Sequence, residues 1–70
     1  MDQLIGFFEK ATMIDADKNL TRHQKDVKIA QILTDMEGRY EIPLFKNEQW
    51  EENNYLVFRV YREIGRMRDL

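Results

Sequence analysis

Seventy residues with no cysteine and a formal net charge of -2 exclude several classes of protein at once. Disulfides and thiolate zinc sites are ruled out, the single His23 cannot build a multi-histidine metal cluster, and a near-neutral chain gathers no nucleic acid by its overall field. With 34% charged and 43% hydrophobic residues the chain has a folding composition, short enough for one domain over residues 1–70.

A core of this size rarely supplies more than roughly 3 to 5 kcal/mol, so a small domain without disulfide or metal looks to regular helix packing or self-association. No charged start followed by an apolar stretch marks a secretory leader, and no apolar run reaches the length of a membrane span. The expectation is a cytoplasmic protein without a membrane partner. Its charge falls in blocks, acidic over 1–17, basic over 18–28, acidic again over 47–54 and basic over 55–70. Such alternation in a helical chain points first to neighbouring helices that complement one another.

The first helix is predicted over 3–13, capped by Asp2, with Leu4, Ile5, Phe8 and Ala11 on one side and Phe7 on its shoulder. Gly6 weakens it by up to about 1 kcal/mol relative to alanine, or marks a close approach of another helix. The stretch 14–20, rich in Asp and Asn, reads as a connector. Within it Asp15-Ala16-Asp17-Lys18-Asn19-Leu20-Thr21 resembles the opening of an EF-hand calcium loop. The pattern then fails: Leu20 stands where the loop needs glycine, Arg22 where an apolar residue belongs and Asp26 where a bidentate glutamate closes the site. Thr21 also caps a helix, and helical residues cannot wrap an ion. An Asx-rich connector with no metal is the reading.

The second helix is predicted over 22–37. Thr21-Arg22-His23-Gln24 has the T-x-x-Q form of a capping box, and Gly38 sits where a left-handed terminator is wanted. Ile29, Ala30, Ile32, Leu33 and Met36 form its broad apolar face, with Val27 off it. The basic group Arg22, His23, Lys25 and Lys28 opposes the dipole at its start, which calls for compensation by Asp15 and Asp17 or by the acids at 48–52. The connector before it is too long for a helix-turn-helix reader of DNA.

Tyr40-Glu41-Ile42-Pro43-Leu44-Phe45 is too apolar for a solvated loop, and Pro43 forbids a continuous helix. The segment 39–46 is expected to cross the molecule extended and partly buried. Asn47 then caps a last helix over 48–68, with Glu48, Glu51 and Glu52 at its positive end and Arg66 and Arg68 at its negative end. Trp50, Leu56, Val57, Val60, Tyr61, Ile64 and Met67 share one face; Tyr55, Arg59, Arg62 and Arg66 line the other. Arg59 with Glu63 and Glu63 with Arg66 are spaced for ion pairs.

The chain is therefore read as all-α, a small three-helix bundle with an extended Pro-containing segment between the second and third helices. Its predicted core is Leu4, Phe8, Ala11, Ile29, Leu33, Met36, Leu56, Val57, Val60 and Ile64, with Trp50 and Tyr61. No internal repeat or low-complexity tract interrupts it. Catalysis is not expected: the chain has neither serine nor cysteine, and Glu51 and Glu52 diverge by about 100° on a helix. No cofactor is expected either.

What remains is an interaction module. Phe7, Tyr40, Phe45, Tyr55 and Phe58 are more aromatics than three short helices can hide, so some of them are expected to meet a protein partner or another copy of the chain. The candidate surface is Phe45, Tyr55, Phe58, Arg59, Arg62 and Arg66. Its runner-up reading is a nucleic-acid site on the arginine face, because planar cations beside aromatics also grip single strands.

Overall fold

The computed structural model describes residues 3–68. Among the described residues the chain forms α1 (Gln3–Ala16), α2 (Arg22–Tyr40), α3 (Glu48–Asn53) and α4 (Tyr55–Arg66), with no strand. α1, α2 and α4 pack on one another in pairs, and α3 lies on α4. The expected all-α three-helix bundle is thus found, with one short helix added; the crossing between α2 and α3 carries neither helix nor strand and bends at Leu44 and Phe45.

The topology is up-down-up. α1 and α2 are antiparallel, since the Phe7 ring meets the Tyr40 ring edge-on at 6.1 Å while Lys25 Nζ donates to the Asp15 carbonyl at 2.7 Å. Arg22 gathers the other ends: its Nη2 donates to the Met67 carbonyl at 2.9 Å and pairs with Asp26 at 3.1 Å and Asp15 at 3.8 Å. α4 therefore runs beside α1 in the same direction. The basic start of α2 is compensated by Asp15 and by Asp26 of its own helix, while the acids of α3 lie elsewhere.

The predicted capping box is formed. Thr21 Oγ1 accepts from the Gln24 amide at 3.1 Å and Gln24 Oε1 accepts from the Thr21 amide at 2.9 Å, so two donors at the start of α2 are satisfied reciprocally. The predicted end of α2 is not where it was placed. The helix runs through Gly38 and stops at Glu41, which takes the left-handed conformation at φ 53°, and the Ile42 amide returns to the Glu37 carbonyl at 3.1 Å in a Schellman closure. Continuing the helix brings Tyr40 onto Phe7 and Ile42 onto the core, a gain that outweighs the roughly 1 kcal/mol a mid-helix glycine costs.

The last helix is likewise not continuous. Asn54, at φ -128° and ψ 43°, divides it: its amide and its Nδ2 both donate to the Trp50 carbonyl at 2.9 Å, ending α3, and its own carbonyl accepts from Phe58 at the start of α4. Asparagine does this readily because its side chain competes with the backbone for helical partners. α1 outlasts its predicted end by a turn, to Ala16. Asp2 as its cap lies outside the described residues. Nothing lies within 4 Å of a Cβ built on Gly6, so no helix approaches it closely.

The buried core is Leu4, Ala11, Ile29, Ile32, Leu33, Met36 and Ile64, flanked by half-buried residues that include Phe7, Ile42, Val57, Val60 and Tyr61. Ile32, placed on the apolar face but not in the predicted core, is fully inside. Three core predictions fail, the first two being Phe8 at 39% and Leu56 at 66% exposed. Leu56 sits a quarter-turn off the line through Val57, Val60 and Ile64, at the edge of what a twelve-residue helix can press against two others. Trp50 also lies outside the core, because the break at Asn54 uncouples α3 from the phase of α4.

Candidate interaction surface

The candidate surface is assembled by the two helix boundaries that flank the crossing. The Schellman turn at Glu41 sends Ile42 toward the core, and Pro43 then keeps the chain from resuming a helix before it bends at Leu44 and Phe45. Asn47 begins α3 by accepting from the Trp50 amide through Oδ1 at 3.0 Å, and Lys46 holds Glu51 at 3.7 Å. Between these fixed ends Leu44 is 92% exposed and Phe45 85% exposed.

A groove of about 220 Å³ opens beside them, lined by residues 42–47 and by Trp50, Glu51, Phe58 and Tyr61. Its aromatic wall is ordered by edge-to-face packing of Trp50 on Phe58, with ring centres 6.4 Å apart and planes at 84°. Tyr61 donates from its hydroxyl to Glu37 Oε2 and so fastens α4 to α2 at the groove's base. Burial pushes the Tyr61 phenol up to about 12, and the hydrogen bond to Glu37 and that carboxylate's charge push in the same direction.

From Phe58 the surface continues onto the outer face of α4. The Arg62 guanidinium lies 5.7 Å from the centre of the Phe58 ring, a cation–π contact worth about 0.5 to 1 kcal/mol at such an exposed position. Arg66 pairs with Glu63 at 3.0 Å as its spacing predicted. The expected pair between Arg59 and Glu63 is not formed; Arg59 turns back one turn and donates to the Tyr55 hydroxyl at 3.0 Å. Tyr55, Arg59, Arg62 and Arg66 thus share the exposed face, while Phe58 links it to the groove by lying under Arg62 and lining the groove with Phe45.

The other aromatics are consumed internally: Phe7 and Tyr40 close on each other across α1 and α2. Trp50, Leu44 and Lys46 belong to the surface and were not expected there. The signal for Leu44 was present in the sequence, since it lies with Phe45 between a proline and a helix cap and has no place in any helical stripe. A second groove, of about 480 Å³, lies between α1 and α2 and had no counterpart in the sequence reading.

The connector that opens like a calcium loop is a turn between helices. Asp17 Oδ1 accepts from the Asn19 amide at 2.8 Å, Asp15 faces Arg22, and residues 22–26 are the first turns of α2. Among the described residues no group of three His, Cys, Asp or Glu side chains is placed to hold a metal, and no helix is long and apolar enough to cross a membrane. No known family, curated protein or solved structure matches this chain.

Proposed function

We propose that the chain is a small non-enzymatic interaction module, and that the groove beside Phe45 with the adjoining arginine face of α4 receives a segment of a partner protein. The observation that carries this reading is the exposure of Leu44 and Phe45 on a backbone fixed at both ends, next to an aromatic wall. An apolar pair that folding leaves in water, on a short segment anchored at both ends, costs less ordering entropy when a partner covers it than one on a long free loop. The cations beside it set the chemistry of the occupant: an apolar side chain for the groove, flanked by carboxylates for Arg59, Arg62 and Arg66.

The arginines support a protein partner over a polyanion. Arg59 and Arg66 are engaged with Tyr55 and Glu63, Arg62 is stacked on Phe58, and the chain as a whole is slightly acidic. The reading carries with it a cytoplasmic setting, which cell fractionation tests. Selection of a displayed peptide library against the chain is expected to enrich aromatic or aliphatic residues beside Asp and Glu. That enrichment is expected to vanish with Phe45→Asp and with Arg62→Glu. A selection without consensus refutes the reading, and oligonucleotide affinity that falls with salt and with Arg62→Ala replaces it by the nucleic-acid one.

A further inference from the structure

The groove between α1 and α2 lies on the flank of the helical hairpin that α4 does not cover. Its two walls carry a lysine, an isoleucine and an aspartate in the same order and spacing: Lys10 and Ile14 on α1 with Asp17 just past its end, and Lys28, Ile32 and Asp35 on α2. Because the helices are antiparallel, the two series run in opposite directions along the groove. Asp17 stands across from Lys28 at one end and Lys10 across from Asp35 at the other. Yet these groups do not join. Among the described residues none of the four makes an ion pair, and the side chains of Lys10, Lys28 and Asp35 make no hydrogen bond.

We infer that this groove is the self-association face of the chain, and that its occupant is the same groove of a second copy. The charge pattern selects that occupant. A copy turned to face the first about an axis along the helices sets Lys28 against Asp17 and Lys10 against Asp35; turned about an axis across them, it sets Lys10 against Asp17 and Lys28 against Asp35. Either way every lysine meets an aspartate, which is the self-complementarity that a closed twofold interface requires. Between the charges, Met13 is 73% exposed at the middle of one wall, and its flexible thioether fits it to enter the facing groove over Ile14 and Ile32. Two antiparallel pairs laid face to face form a four-helix layer, the burial that a chain of this length otherwise lacks. The inference stands apart from the proposed partner site, since α3 and the arginine face of α4 take no part in it.

Sedimentation equilibrium tests it with two charge variants. The wild-type chain is expected to rise from 8.5 kDa toward twice that mass with concentration, and less so at high salt. The double variants Lys10→Glu/Lys28→Glu and Asp17→Lys/Asp35→Lys each place like charges face to face, and each is expected to associate at least roughly tenfold more weakly while keeping wild-type helicity. Mixed together they are complementary again, and the mixture is expected to recover the doubled mass as a heterodimer. A wild-type chain that stays at monomer mass at millimolar concentration and low salt overturns the inference. So do charge variants that associate as well as the wild type, and so does a mixture that remains monomeric.

Discussion

Every residue of the buried core except Ile64 comes from α1 and α2, whereas α4 meets them mainly through the half-buried Val57, Val60 and Tyr61, with Met67 just past its end, and α3 has no fully buried residue. The hairpin is also stitched along its length, by Lys25 and Arg22 on Asp15 at one end and by the Phe7–Tyr40 contact at the other. The α3–α4 half leans on it through one fully buried side chain, the half-buried residues beside it, the Tyr61 hydroxyl on Glu37 and the Met67 carbonyl that accepts from Arg22. The difference separates foundation from display. A helix that spends only a narrow stripe on the core has most of its surface to present, and Tyr55, Arg59, Arg62 and Arg66 occupy that surface.

The comparison is most easily broken at Ile64. Ile64→Ala is expected to cost about 2 to 5 kcal/mol, comparable with the whole stability of a domain this size. Amide exchange of the wild-type chain is expected to proceed through a smaller free energy in α4 than in α2; equal protection would mean that the two halves open as one unit. Next in size, Thr21→Ala removes the cap of α2 and is expected to lower stability by about 1 kcal/mol, read by denaturant melts.

Tyr61→Phe, which cuts the hydroxyl link between α4 and α2, is expected to cost about 1 kcal/mol. It carries a pH signature as well. The folded state holds the neutral phenol, with its titration raised from the ordinary 10.0 to about 12, so this contribution is complete below pH 10 and is lost as pH rises toward 12. Melts over that window are expected to fall more steeply for the wild type than for Tyr61→Phe. Smaller and opposite in sign, Gly38→Ala is expected to raise stability by roughly 0.5 to 1 kcal/mol, because the position is helical and an added Cβ meets nothing within 4 Å. Last, Phe45→Asp is expected to move stability by no more than about 0.5 kcal/mol, since the residue touches water rather than core.

The foundation was more legible in the sequence than the display. Thr21 with Gln24 is a local signal that no distant contact contradicts, and Ile29, Leu33 and Met36 repeat at helical spacing and are buried. Where the reading failed, a long-range contact overruled a local rule. Gly38 looked like a terminator because nothing in the neighbouring sequence says that Tyr40 finds Phe7. Asn54 looked like one more polar helix position, and its turn onto the Trp50 carbonyl moved Trp50 out of the predicted core. Of the candidate surface, the arginine face of α4 follows from periodicity alone, while the placing of Phe45 and Phe58 in one groove depends on where Pro43 carries the chain. The matched walls of the α1–α2 groove lay hidden for the same reason, since Lys10 and Asp35 become neighbours only when the hairpin closes.

Trp50 is the only tryptophan in the chain, and it stands in the wall of the groove with its edge to Phe58. The protein therefore carries its own optical reporter at the place where a partner is proposed to dock. Its helix is only six residues long, too short to persist without its caps and its contact with α4. An occupant that slides against Phe58 changes the indole's surroundings directly, and one that pries α3 away releases the indole to solvent and shifts its emission to the red. Unlabelled protein, excited at the indole band, thus distinguishes a partner that seats on the groove from one that opens it.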